Sequence, residues 1–169
     1  IRSGSPLTAR SFFPIMSLAG VAVALDGDTA FVARTTASEV VIIKGVSPGH
    51  TPSLLPKPVD TGKAPRALRL TPDGRVLVVT NSNSNTVSIF RVSGTNLSLL
   101  TTLAVGSRPA GLSISFDGTM ALVANSGDYT LTVITDLNGS PRVVSPPIGP
   151  AIELLTGMDA EQSVAFIPR

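Results

Sequence analysis

The stretch from Val59 to Val92, VDTGKAPRALRLTPDGRVLVVTNSNSNTVSIFRV, decides the fold. It passes through a polar loop with Gly and Pro, an apolar strand and a tight turn at Pro72-Asp73-Gly74. Two more alternating runs follow, joined by the Asn-rich loop Asn81 to Asn85. The same order returns at Leu103 to Asp136, LAVGSRPAGLSISFDGTMALVANSGDYTLTVITD, and more weakly at Leu18 to Lys44. The Asp-Gly pairs beginning at Asp26, Asp73 and Asp117 lie 47 and 44 residues apart. That matches the roughly 40–50 residues of a four-stranded propeller blade. No helical pattern of useful length competes; Ile152 to Met158 supplies two turns at most.

The periodicity predicts an all-β chain, a β-propeller segment of four-stranded antiparallel blades. One blade covers 18–59, a second 60–105 and a third 106–147. Residues 1–17, with Phe12 to Met16 as an apolar run, read either as an outer strand of a preceding blade or as a segment lying on a neighbouring surface. Residues 157–169 read as the first strand of a further blade, with Val164 and Phe166 where Leu68 and Leu70 stand. In the second copy Leu68 and Leu70 alternate with Arg69, and Val76–Thr80, Thr86–Val92 and Leu97–Val105 are the next strands. In the first copy the fourth strand, Leu54 to Val59, is interrupted by Pro56 and Pro58. Proline cannot donate to a ladder, so this strand belongs on an edge.

Composition narrows the function classes. Apolar residues make up 43% of the 169 and charged residues 14%, which excludes a disordered or highly charged tail. The net charge is +2, and no Lys/Arg cluster is interleaved with aromatics, so no nucleic-acid partner is expected. The chain has no cysteine, which removes disulfides, thiolate metal sites and cysteine nucleophiles together. No apolar run reaches the roughly 20 residues of a membrane span. The chain opens on Ile1 rather than Met, which suggests an upstream piece removed or missing.

In a propeller blade the first strand lines the central channel. The loop before it and the loop between strands two and three share one face. That face receives Lys63, Arg66, Ser107 and Arg108, together with Asn81, Asn83, Asn85, Asn125, Asp128 and Tyr129. These groups suit a polar or anionic partner, with Arg66 and Arg108 supplying charge-assisted contacts. The competing reading is structural, because Asn and Asp after a strand bond local backbone and Asn81 and Asn125 recur in register. The single histidine, His50, sits in a Pro/Gly loop, and Asp26-Gly27-Asp28 reads as a hairpin turn. No metal and no cofactor are therefore expected. No Gly-x-Ser-x-Gly elbow occurs, and the catalytic residues stay unassigned.

The order Gly-x-x-Pro, strand, Asp-Gly, strand, Asn, polar loop, then a Val-rich strand resembles the YVTN-type β-propeller repeat. That repeat is found in surface-layer and other cell-envelope proteins and is close to the lactonase-like propellers. It is carried by Gly62, Pro65, Asp73, Gly74, Asn81 and Val87, and again by Gly106, Pro109, Asp117, Gly118, Asn125 and Val133. The first copy departs, with Arg34 in place of the Asn and no Gly-x-x-Pro before Val21. The resemblance implies a secreted, periplasmic or cell-surface protein. The acidic, histidine and arginine site of the lactonase-like propellers finds no matching positions here. The expected function is therefore a non-catalytic binding or scaffolding module that presents Asn/Arg-rich loops to a protein or glycan. The alternative is part of a lactonase-like or oxidoreductase propeller enzyme whose channel site is completed by residues outside this chain. Three blades and two partial ones do not close a ring, so closure is expected from missing blades or from a second copy in a homodimer.

Overall fold

The computed structural model describes residues 17–148, and all regular structure among them is β. The first sheet holds β1 (Leu18–Val23), β2 (Thr29–Arg34), β3 (Glu39–Lys44), β4 (Ser53–Leu54) and β5 (Val59–Asp60). The second runs β6 (Pro65–Leu70), β7 (Val76–Asn81), β8 (Thr86–Ser93) and β9 (Asn96–Ala104). The third runs β10 (Pro109–Ile114), β11 (Met120–Asn125), β12 (Thr130–Thr135) and β13 (Arg142–Ile148). Neighbouring strands pair antiparallel in sequence order, as blades require. The strands expected at Phe12–Met16 and Ser163–Arg169 lie outside the described residues.

One expected strand is divided. Leu54 to Val59 becomes β4 and β5, which both pair with β3: Leu54 opposite Ile43, and Val59 opposite Val40. The Leu55 amide still donates to Ile42 O at 2.8 Å. The ladder then breaks at Pro56, Lys57 and Pro58, where two residues have no amide hydrogen to give. Pro146 and Pro147, by contrast, sit within β13 on the outer edge of the third blade, where a missing donor is tolerated.

The turn between the first two strands of each blade is built the same way three times. Thr71 N donates to Val76 O and Gly74 N donates to Thr71 O, and Gly74 has φ +70. Asp73 ties this turn by accepting from the Thr71 hydroxyl at 2.6 Å and from Arg75 N at 3.1 Å. Asp117 repeats the arrangement with Ser115 Oγ and Thr119 N. The hydroxyls of Thr71 and Ser115 are the leading cause that holds the two carboxyls below their ordinary value. Adjacent turns also touch. A Cβ on Gly74 would lie 3.0 Å from Leu25 Cδ1, and one on Gly118 would lie 3.2 Å from Pro72 Cδ.

The core lies between blades, not within them. Phe31, Ala33, Val40 and Ile42 of the first sheet pack against Leu68, Leu77, Val79 and Phe90 of the second. Val76, Val78, Val87 and Ile89 on the opposite face of the second sheet pack against Leu112, Ala121, Val123 and Ile134 of the third. The second blade is thus covered on both faces. This is why β7 reads as an unbroken apolar run instead of an alternating one.

Candidate functional site

The inner strands β1, β6 and β10 stand side by side, and each carries an irregularity near its start. In β6, Pro65 is opposite Asn81 and Leu68 is opposite Val79, so three steps on β6 match two on β7. The extra residue is a β-bulge. Thr80 Oγ1 fills the gap in the ladder, accepting from Ala67 N at 2.9 Å. The same shift occurs in β1 between Leu18 and Val21 and in β10 between Pro109 and Gly111. Strict alternation would send Arg66 and Arg69 to opposite faces. With one residue bulged between them, both line one cavity.

That cavity, of about 600 Å³, opens at the start of the three inner strands. Leu18, Ala19, Gly20, Ala64, Ala67 and Ala110 form its apolar lining. The polar lining is Thr35, Ser82, Asn83, Arg66, Arg69 and Arg108. Among the described residues the lining carries three guanidinium groups, which stay protonated at any working pH, and no carboxylate. Arg69 Nη1 donates to Leu68 O at 3.0 Å, which steadies one edge of its guanidinium.

The entry loops explain how Arg108 arrives there. Ala64 and Arg108 have φ +54 and +53, an uncommon region for a residue with a side chain. The turned backbone lets Ala64 O accept from Ser82 N at 2.9 Å, and Arg108 O accept from Ser126 N at 3.0 Å. The Arg108 amide in turn donates to Asn85 Oδ1 of the preceding blade at 2.9 Å. Loops from two blades thereby hold the Arg108 backbone at the cavity rim.

Of the residues nominated from sequence, the structure brings Arg66, Asn83 and Arg108 to this cavity and places the others elsewhere. Lys63 is exposed, and its backbone bonds Ser84 Oγ and Asn83 N. Asn81 is buried and donates to Thr86 Oγ1 at 3.1 Å and to Ser88 Oγ at 2.9 Å. Asn125 repeats this with Thr130 and Thr132, both at 2.9 Å. Asp128 accepts from Ser107 N at 2.6 Å. Burial raises its carboxyl, but that hydrogen bond and those of Thr130 leave it below the ordinary value. Tyr129 is exposed and does not line the cavity. In the first blade Arg34 stands where Asn81 and Asn125 stand, and it pairs with Glu39 at 2.8 Å. An ion pair thus replaces the Asn–Thr hydrogen bond at the same cross-strand position.

The sequence reading missed Arg69. There Arg69 figures only as the residue that alternates with Leu68 and Leu70. A signal was present in the repeat itself. With the 47- and 44-residue offsets, Arg66 aligns with Ala19 and Ala110, Arg69 with Ala22 and Ser113, and Arg108 with Ser17 and Ala64. Each cavity arginine occupies a position where the other two blades carry Ala or Ser. The blade fold does not ask for them.

Comparison with known proteins agrees with this geometry. The lactonase family model, a seven-bladed β-propeller, matches residues 5–116, well over half of the sequence. This chain belongs to that family. No curated protein matches it. Among solved structures, a candidate 6-phosphogluconolactonase of Bacteroides uniformis superposes with TM-score 0.67 at 18% identity, over 75% of this chain and 39% of its own. A periplasmic gluconolactonase of Pseudomonas aeruginosa gives 0.65 at 23% identity, over 77% and 39%. A protein of Lactobacillus plantarum gives 0.69 at 22% identity, over 76% and 41%. This lactonase-family chain spans about two fifths of the length of those structures, and at these identities they show its fold. Family membership overturns the expectation of a non-catalytic scaffold that presents loops to a protein or glycan. The Asn loops do not require such a role either, since Asn81 and Asn125 are occupied inside the blade.

Proposed function

We propose that the chain forms part of a sugar-lactone hydrolase whose site lies at the mouth of the propeller channel. The carrying observation is the arginine-lined cavity on the inner strands of a lactonase-family propeller. Structural neighbours named 6-phosphogluconolactonase and gluconolactonase support the reaction class. In that reaction water adds to the lactone carbonyl, the ring C–O bond breaks, and a hydroxy acid leaves as its carboxylate. Charge develops on the carbonyl oxygen and remains on the product. Arg66, Arg69 and Arg108 can stabilise both, because fixed donors facing developing charge lower the barrier. Asn83 and Ser82 offer neutral hydrogen bonds to sugar hydroxyls. Among the described residues the cavity lining supplies no imidazole or carboxylate, so in this reading the group that activates water comes from elsewhere in the protein. A periplasmic, cell-surface or secreted location and a kinship with YVTN-type repeats belong to the same reading.

The test is acid release from glucono-δ-lactone and its 6-phosphate, followed in weak buffer against the spontaneous rate. Turnover above that rate, reduced by about tenfold or more in Arg66→Gln, is expected. Hydrolysis no faster than buffer alone would refute the reading.

A further inference from the structure

We propose that Asn85 is a positioning residue for Arg108, and that the bond between them fixes this guanidinium relative to the loop that supplies the neutral donors of the cavity. The inference deepens the lactonase reading by adding to its site a residue from outside the lining, and it rests on that reading only for the reaction that the positioning serves.

Three observations carry it. First, the backbone shape at this junction repeats from blade to blade, whereas the bond does not. Ser38, Asn85 and Tyr129 hold one repeat position, with φ +58, +54 and +57, and Ser17, Ala64 and Arg108 hold another, with φ +60, +54 and +53. The backbone contacts repeat as well: Ser38 O accepts from Thr61 N at 2.9 Å and Asn85 O accepts from Val105 N at 3.0 Å. Asn85 adds a side-chain bond, its Oδ1 accepting from Arg108 N at 2.9 Å. Among the described residues no such bond joins Ser38 to Ala64. Second, the extra bond falls where the residue it holds carries charge into the cavity. Arg108 O accepts from Ser126 N and Ser126 Oγ, and Ser107 N donates to Asp128, so the third blade fixes the carbonyl side. Asn85 fixes the amide side from the second blade. Third, Asn85 closes the loop whose Ser82 and Asn83 line the same cavity.

A left-handed backbone is disfavoured for a residue with a Cβ, and it persists where surrounding bonds enforce it. Holding both sides of the Arg108 peptide fixes the direction in which its side chain leaves the backbone. The guanidinium then stands at a set distance from Ser82 and Asn83, although the two edges belong to different blades. That matters for lactone hydrolysis, because donors already in place when charge develops lower the barrier more than donors that must first be gathered. Loss of the bond should therefore act on turnover through Arg108 alone. A purely structural Asn85, kept because asparagine tolerates a left-handed turn, would act independently of Arg108.

Asn85→Gly tests this. Glycine adopts a positive φ without strain and keeps the carbonyl that Val105 N uses, so the Oδ1 acceptor is what the variant loses. Asn85 is exposed, and melting curves check that the fold is kept. The first readout is nitrogen relaxation at the arginine Nε–H groups of isotope-labelled protein. Arg108 should gain mobility in Asn85→Gly and regain its order in Asn85→Asp, which keeps an acceptor oxygen, while Arg69 stays as it was. The second readout is hydrolysis of glucono-δ-lactone. Asn85→Gly should lower kcat/KM about tenfold, the scale of a lost hydrogen bond or a displaced catalytic group, and Asn85→Asp should recover most of it. Ser38→Gly, the same change one blade earlier, should leave turnover unchanged. In an Arg108→Gln background Asn85→Gly should cost nothing further, because a residue that acts through another is not additive with it. An Arg108 Nε–H group as ordered in Asn85→Gly as in the parent overturns the proposal. So do an undiminished kcat/KM in Asn85→Gly and additive losses in the double variant. If the parent hydrolyses no lactone, the proposed reaction falls and the relaxation measurement alone decides whether Asn85 positions Arg108.

Discussion

Replacing Gly106 with Ala adds one methyl group and should destabilise the protein far more than such a change normally does. Gly106 has an ordinary backbone conformation, so strain in φ is not the cause. A Cβ there would lie 2.5 Å from Thr130 Oγ1 and 2.6 Å from Asn125 Cγ, both inside van der Waals contact. Asn125 is 2% exposed and cannot swing out to water. Overpacking of this kind costs about 1–3 kcal/mol. If Asn125 shifts, its bonds to Thr130 and Thr132 are lost as well, at about 1 kcal/mol each. The expected loss is therefore about 3–5 kcal/mol, or roughly 6–20 °C in melting temperature for a chain of this size. Gly94→Ala is the control. Gly94 has φ +59 with nothing near its missing Cβ, so only the left-handed backbone term of about 1–2 kcal/mol applies. Urea titration of both proteins measures the difference. Adding Asn125→Ala to Gly106→Ala should shrink the cost of the methyl group, because the two side chains then no longer collide. Equal losses for Gly106→Ala and Gly94→Ala would refute the reasoning.

Two further outcomes follow from the same geometry. Asn81→Ala should lose about 2 kcal/mol or more through its two buried hydrogen bonds, whereas Asn83→Ala, at an exposed cavity position, should stay within about 0.5 kcal/mol; matching melting curves for the two would count against the assignment. Acid should destabilise the turns. Asp73 and Asp117 are held below the ordinary 3.8, so each binds fewer protons folded than unfolded. Their contribution is complete above that value and is lost as pH falls through the folded values. Ser115→Ala removes the main cause at Asp117. It should narrow the gap in melting temperature between about pH 6 and about pH 2.5, and an unchanged gap would contradict the cause assigned.

The blades were legible because each is announced by several agreeing signals. Asp-Gly turns, Gly-x-x-Pro entries and period-two runs recur in one order, and β7, β8 and β9 begin and end within a residue of the expected Val76–Thr80, Thr86–Val92 and Leu97–Val105. The interruption of the fourth strand of the first blade was legible too: Pro56 and Pro58 stand close enough to expel three residues from the ladder, which leaves β4 and β5 on either side. The site was half legible. Arg66 and Arg108 follow from the loop rule of the propeller, whereas Arg69 depends on a bulge. A bulge leaves no mark in composition or alternation; it becomes visible only as a mismatch in cross-strand register. The buried asparagines and the solvent-facing ones look alike in sequence, and only their hydrogen-bond partners separate them.

The bulge in β6 has a consequence for how such a protein can change over time. The middle strands of each blade, with Leu68 and Leu112 of the inner strands, carry the packing between blades, and the first residues of the inner strands line the cavity. Because the extra residue is absorbed locally, Ala19, Arg66 and Ala110 can hold different side chains while the register of every later pair is preserved. Duplicated blades can therefore diverge at the mouth one position at a time without renegotiating their cores. A new specificity is then a matter of rewriting a few letters on a scaffold that does not read them.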